Sequence, residues 1–248
     1  MKRLSRLSIL AVVPLLASAC ASNISTVDTL SRYDRLQNNE RGLIPVREYV
    51  NTEAAGEIRV IHMDRAAVAP GVLEASGVDA DQFERVVGTL SRTMCRRLAR
   101  GGVTVVTEPD PIAHRLQLTI TGFEPTNAFA AGASGVIGAF VPGPLSPRLP
   151  VGIGALAAEG EVFNSAGEQI AAMRYDARNH LASGAGTISM LRGDFGATSD
   201  GEDLASGFAD AFGDLIVNAR NAAGGERGVT DRGACSVLYD GEEAEAIR

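Results

Sequence analysis

The chain has 248 residues, a formal net charge of −7, only 5% aromatic residues and no tryptophan. An acidic chain without a basic stripe lacks the Lys and Arg side chains that phosphate contacts need, which argues against a nucleic-acid partner. The lack of Trp disfavours sugar-stacking sites and choline cages, because such sites depend on Trp and Tyr. The length suits one compact domain with tails.

The first nineteen residues predict an export signal. Its positive start consists of Lys2, Arg3 and Arg6, and an apolar stretch over residues 7–16 follows. About ten apolar residues are too few to span a bilayer, which needs roughly 20. The small residues at 17–19 then lead to Cys20. Removal of residues 1–19 takes away three positive charges and no negative ones, so the formal charge changes from −7 to −10.

A cysteine directly after small residues resembles the lipobox of bacterial lipoproteins. The usual pattern has Leu three residues before the cysteine, whereas this chain has Ala17 there and Leu16 one position earlier. The resemblance implies that Cys20 becomes the acylated first residue, and several acyl chains anchor a protein stably. Because Ala21 follows rather than Asp, it also implies the outer membrane, facing the periplasm. The alternative is a plain secretory peptide before an incidental cysteine.

The mature chain divides into three predicted parts. Residues 20–56 are polar and predict a lipidated tether, with Tyr33, Leu36 and Tyr49 packing on the domain. Residues 57–222 predict a single α/β domain. Residues 223–248 are polar and acidic and predict a mostly mobile tail.

Hydrophobic periodicity within 57–222 predicts strands and two helices. The predicted strands are 58–63, 103–106, 114–121, 158–164 and 168–175, the last two joined by a turn at Gly167. One helix starts at Asp79 or Asp81 and the other at Ser199 or Asp200. Each helix has one apolar stripe and therefore covers a sheet. The expected fold class is α+β or α/β, a two-layer sandwich of a mixed four- to five-stranded sheet with two helices on one face.

Two cysteines remain once Cys20 carries lipid. Cys95 and Cys235 form an even pair in an oxidising compartment, which allows a disulfide between the first long helix and the C-terminal tail. The alternative is one buried thiol and one tail thiol that never meet, because sequence alone carries no geometry.

The segment 129–158 is rich in Gly, Ala and Pro and carries a single charge, Arg148. It predicts either a long loop over the sheet or a segment that contacts a membrane or a partner, since exposed apolar patches usually have a purpose. The residues of this candidate contact loop are Phe129, Val136, Ile137, Phe140, Val141, Leu145 and Leu149.

The sequence contains no arrangement typical of catalysis, cofactor binding or metal binding, so we expect no enzymatic activity, no cofactor and no metal. The histidines His62, His114 and His180 have no metal-ligand spacing. Residues 152–157 match a dinucleotide-binding pattern, but prolines precede them and a strand follows, where the motif needs a helix. The acidic residues Asp194, Asp200, Glu202 and Asp203 do not follow a calcium-loop spacing, and helix capping explains the last three better.

The chain resembles a family of short bacterial lipoproteins of unknown function. The segments that carry the resemblance are 31–36, 68–70, 115–121 and the hairpin from Glu159 through Val162 to Glu168. The element order is also distantly similar to envelope α/β modules such as the amino-terminal domain of TolB and the curli-secretion lipoprotein. The resemblance implies a fold and an envelope setting but no catalytic residue, because fold alone does not fix function.

Three hypotheses follow for the function. The first is a non-enzymatic envelope lipoprotein, anchored in the membrane at Cys20, that binds another envelope protein or helps an envelope assembly. The second is a lipid- or small-ligand-binding module that uses the apolar loop as a lid. The third is a hydrolase with carboxylates or His180 in the connection before the last helix.

Overall fold

The computed structural model describes residues 24, 27–41, 44–126, 154–178, 197–225 and 235. These residues form one mixed sheet of eight strands and four helices. The strands are β1 (Gln37–Arg41), β2 (Ile44–Val50), β3 (Val60–Met63), β4 (Ala67–Val68), β5 (Thr104–Val106), β6 (His114–Glu124), β7 (Ala155–Phe163) and β8 (Gln169–Arg178). The helices are α1 (Thr52–Ala55), α2 (Val72–Ser76), α3 (Ala80–Arg100) and α4 (Ser199–Ala222).

The strands lie in the order β1-β2-β8-β7-β6-β3-β5, and the short β4 pairs with β6. The pairs from β1 to β6 along this order are antiparallel, whereas β3 pairs in parallel with both β5 and β6. Two hairpins, β1–β2 and β7–β8, therefore form one half of the sheet, and crossovers through α2 and α3 form the other half.

The two long helices cover one face of the sheet, called here the helix face. Alternate residues of β6, Leu116, Leu118 and Ile120, are buried there in the main core. Gly160 of β7 faces the same way, and an added Cβ would lie 2.5 Å from the Phe212 ring of α4. The absence of a side chain at Gly160 therefore lets α4 approach the sheet closely. Asp79 caps α3, as predicted, because its side chain accepts a hydrogen bond from the Asp81 N–H.

The predicted α+β class is confirmed, but the predicted strand and helix counts are wrong. The sheet has eight strands rather than four to five, and the described residues contain two short helices in addition to the two long ones. Three strands, β1, β2 and β4, are absent from the prediction. β1 contains no apolar residue and β4 has only two residues, whereas β2 lies in a stretch that was predicted to be tether. Pairing with β2 and β6 holds β1 and β4 in the sheet, whereas β2 also buries Val46 in the main core.

The sheet begins before the predicted domain boundary at residue 57. The strands β1 and β2 and the helix α1 all lie inside the range 20–56 that was predicted to be a tether. Of the predicted tail, 223–248, the structure describes only residues 223–225 and Cys235. Among the described residues, no helix combines the length and the apolar character that a bilayer crossing requires.

Candidate functional site

Two buried glutamates mark the face of the sheet opposite the long helices. Glu159 and Glu161 are 1% and 4% exposed, and they alternate along β7 with residues that point to the helix face. Burying a carboxylate is costly unless it is well hydrogen-bonded. Most of their partners are Thr29, Ser31 and Tyr33. These residues belong to a segment, Ile24 and residues 27–36, that is called here the strap, and the second face is called the strap face.

Glu159 is bound mainly by two strap residues. Its Oε2 atom accepts hydrogen bonds from the Thr29 N–H (2.8 Å), the Thr29 hydroxyl (2.6 Å) and the Tyr33 hydroxyl (2.7 Å). The Tyr33 oxygen itself accepts from the N–H groups of Thr29 and Leu30. Burial raises the pKa of Tyr33, so its phenol stays protonated and remains a donor to the carboxylate.

Glu161 holds the next part of the strap in the same way. Its Oε2 atom accepts hydrogen bonds from the Ser31 N–H (2.9 Å), the Ser31 hydroxyl (2.8 Å) and Gln169 Nε2 (2.9 Å). Arg35 continues the attachment by donating to the Gln169 carbonyl (3.0 Å). Charge-assisted hydrogen bonds are about twice as strong as neutral ones, so the pair of glutamates fixes both the position and the register of the strap.

Arg174 of β8 compensates the negative charge of this region. Its guanidinium lies 2.8 Å from Asp28, 3.1 Å from Asp176 and 3.5 Å from Glu159 Oε1. Burial acts to lower the pKa of Arg174, and the neighbouring carboxylates Asp176, Asp28 and Glu159 outweigh it, so the net shift is upward. The arginine therefore remains charged beside the buried Glu159.

Apolar contacts hold the strap at both of its ends. Ile24 is 8% exposed and packs on Ala155 and Ala157 at the start of β7. At Gly122 of β6, an added Cβ would collide with the Ile24 carbonyl, so only glycine admits the strap there. Farther along, a second cluster is formed by Leu30, Leu36 and Ala172, with Tyr33 and Tyr49 packed against it. The strap thus follows β7 from its first residues to its last.

Ile24 packs at one end of the sheet, called here the Ile24 end. Several connections between strands and helices meet at the same end. Asp200 of α4 accepts hydrogen bonds there from the Thr126 hydroxyl (2.8 Å) and the Gly154 N–H (3.0 Å). Glu124 and Arg178 form a bidentate ion pair at the same end of the sheet, with N···O distances of 2.6 and 2.7 Å. Asp200 therefore joins the two ends of the range 127–153, and α4 begins at Ser199, one of the two predicted starts.

The β1–β2 hairpin forms one edge of the sheet. Among the described residues, β2 is the only strand that pairs with β1. A groove of about 560 Å³ beside the hairpin includes Arg47, Arg174 and Asp176, and a second of about 470 Å³ includes Glu48 and Leu215. Glu48 is buried and binds Arg41 and Asn39 of β1, which ties the edge strand to the sheet.

The structure brings only some of the predicted site residues together. Cys95 and Cys235 form a disulfide with a Cα–Cα distance of 5.6 Å, which ties a residue of the predicted tail to α3. Cys20 and all seven residues of the candidate contact loop lie outside the described residues. So do His180 and Asp194 of the alternatives.

The remaining motifs have structural partners. His62 Nε2 lies 3.2 Å from the Thr107 carbonyl oxygen and 3.6 Å from Asp64 Oδ1, and burial lowers the pKa of His114 in β6. The dinucleotide-like pattern runs into β7, a strand where that motif needs a helix. No group of three or more potential metal ligands occurs in the described ranges.

The role of Glu159 and Glu161 was not predicted from the sequence. A signal for it was present, because two acidic residues at alternate positions interrupt an otherwise apolar strand, Ala155–Phe163. Period-two alternation places both carboxylates on one face. Two of the four segments that carried the family resemblance, 31–36 and the hairpin that begins at Glu159, contact each other through the bonds of Tyr33 to Glu159 and Ser31 to Glu161.

Comparison with known proteins gives a family and a remote structural likeness. The family model described as "Protein of unknown function (DUF3313)" matches residues 26–212. Two solved structures of the PelC dodecamer from Paraburkholderia phytofirmans, one carrying a single substitution, are similar at 11% identity over 71% of this chain and 95% of theirs. Their TM-scores are 0.38 and 0.36. No curated protein matches the chain.

Proposed function

The chain belongs to the DUF3313 family of proteins of unknown function, and we propose that it is an exported lipoprotein, anchored at Cys20, whose domain binds another protein of the cell envelope. The export signal over residues 1–19 and the cysteine that follows it support the anchor. The expected location is the outer membrane, with the domain in the periplasm.

The observation that carries this proposal is the clamping of the strap by buried carboxylates. The covalent chain joins a lipid anchor to its domain, and packing of that chain on the fold determines how short the free part of the link is. Here Ile24, four residues after Cys20, is already packed on the sheet. Glu159 and Glu161 then bind the strap through charge-assisted hydrogen bonds. These contacts leave only residues 21–23 between the proposed anchor and the first residue packed on the domain.

The β1 edge supports the protein-binding part of the proposal. Its residues Gln37, Asn38 and Asn39 are exposed. An exposed edge strand can accept an extended segment of another protein through main-chain hydrogen bonds, and adjacent grooves take the alternate side chains of that segment. The two grooves beside this hairpin have that arrangement. We therefore expect an envelope protein to add a strand beside β1.

A capture experiment tests both parts. The full-length lipoprotein is purified from membranes with its bound proteins, beside Cys20→Ala, Asn38→Lys and Ser165→Lys variants. A lysine on an edge strand opposes strand addition, and Ser165, exposed in the β7–β8 turn, is the matched control for charge.

We expect the wild type to capture partners that the Cys20→Ala variant does not. The same partners should be lost with Asn38→Lys and kept with Ser165→Lys. A membrane-bound Cys20→Ala variant would contradict the anchor. Capture that Asn38→Lys leaves unchanged would contradict the β1 edge as the binding surface.

A further inference from the structure

We infer that the Ile24 end of the sheet lies against the phospholipid surface that holds the anchor, so that the domain stands on the membrane with the opposite end away from it. This inference rests on the proposed anchor at Cys20 and adds the orientation of the domain. The opposite end carries the β7–β8 turn and is called here the turn end.

The length of the chain between the anchor and the fold is the first argument. Residues 21–23 alone separate Cys20 from Ile24. Even a fully extended chain spans at most about 3.6 Å per residue, so the Cα atoms of Cys20 and Ile24 are within about 14 Å of each other. The acyl chains on Cys20 enter the bilayer, which keeps this residue at the headgroup level. Ile24 therefore stays close to the membrane surface in every conformation of the intervening residues.

The fixed position of Ile24 on the sheet is the second argument. Its side chain is buried on Ala155 and Ala157, and its carbonyl occupies the space above Gly122. Thr29 follows a few residues later and is held by the buried Glu159. Release of the strap would lengthen the link to the anchor, and these contacts oppose that release. The short link therefore acts on a defined point of the domain.

The length of β7 gives the distance between the two ends of the sheet. The strand runs from Ala155 at the Ile24 end to Phe163 near the turn end. Eight steps at about 3.3 Å each place the turn end about 26 Å from the Ile24 end. The net charge of the mature chain, −10, opposes contact of the wider surface with anionic headgroups. The short link therefore keeps the Ile24 end nearer to the bilayer than the turn end.

Spin labels at the two ends test this orientation. The labels are placed at Pro125→Cys, a half-buried position next to Glu124, and at Ala166→Cys, an exposed position in the β7–β8 turn. Native Cys95 and Cys235 are joined in a disulfide and do not react with the label. The full-length lipidated protein is reconstituted in phosphatidylcholine–phosphatidylglycerol vesicles that carry a nickel-chelating headgroup lipid. The quantity measured is the relaxation enhancement of each label by nickel.

We expect relaxation enhancement at residue 125 to exceed that at residue 166 several-fold. Insertion of about 20 Gly and Ser residues between Cys20 and Ile24 is expected to remove the difference, because such a linker reaches about 25 Å on average. Equal enhancement at both labels, or a larger one at residue 166, would overturn the inference. So would a difference that survives the inserted linker, because the link would then not set the orientation.

Vesicle flotation separates this result from the fate of the anchor. If the wild type floats and Cys20→Ala does not, the anchor is supported. Equal relaxation enhancement at residues 125 and 166 would then refute the orientation alone. Failure of the wild type to float refutes the anchor and the orientation together.

Discussion

Replacement of Glu159 by alanine should release the strap while leaving the sheet folded. The carboxylate is fully buried, accepts three hydrogen bonds from Thr29 and Tyr33, and lies 3.5 Å from Arg174. Hydrogen bonds to a charged group contribute roughly 1.5–3 kcal/mol each and do not add fully. Because the released donors regain water when the strap detaches, we expect the free energy that holds the strap to fall by about 3 kcal/mol.

Amide hydrogen exchange measures this change directly. A loss of about 3 kcal/mol corresponds to roughly 150-fold faster exchange of the Thr29 and Ser31 amides, at 1.36 kcal/mol per tenfold change. Amides of β7 should keep their protection. Glu48→Ala is the matched control, because Glu48 is also a buried carboxylate but binds β1 instead of the strap. Two results would refute the role of Glu159 in holding the strap. One is that the Thr29 and Ser31 amides of the Glu159→Ala variant exchange at the wild-type rate, and the other is that Glu48→Ala accelerates their exchange equally.

Three further predictions concern the strap, the tail and pH. Gly122→Ala places a methyl group against the Ile24 carbonyl and should loosen the strap without unfolding the core. The expected result is faster exchange of the Thr29 amide, which donates to Glu159, and unchanged exchange would contradict the close approach. Cys235→Ser opens a disulfide that spans 140 residues and should lower the free energy of unfolding by up to about 5 kcal/mol in urea titrations under oxidising conditions; an unchanged midpoint would show that the bridge does not form. Burial lowers the pKa of His114, so the unfolded state binds the proton more readily and stability should fall as the pH drops below about 6.5. A His114→Gln variant should show a flatter decline between pH 7 and pH 5, and an identical slope in both proteins would be inconsistent with this burial.

The elements with strong periodicity were predictable from the sequence. The apolar stripes of α3 and α4 and the alternation in β6 identify their type without knowledge of the fold. Gly167 has φ +79°, as the predicted turn requires, and the β7–β8 hairpin forms around it. In these cases local preference and burial agree, so the pattern alone specifies the element.

The elements missed by sequence analysis depend on partners elsewhere in the chain. The residues of β1 are all polar, and only pairing with β2 makes them a strand. The strap has no regular structure, and its position is set by Glu159 and Glu161, about 130 residues away. Two acidic residues in an apolar strand predict that something polar must cover them, but they do not identify the covering segment.

The chemical state of Cys20 decides whether a lipid anchors the protein. Mass spectrometry of the N-terminal peptide from protein purified out of its native membrane identifies the first residue and any attached acyl groups. We expect a mature chain that begins at Cys20 and carries a diacylglyceryl group on the sulfur and an acyl group on the nitrogen. A free thiol at Cys20, or a mature chain that begins at another residue, would contradict the lipid anchor and the membrane orientation that depends on it.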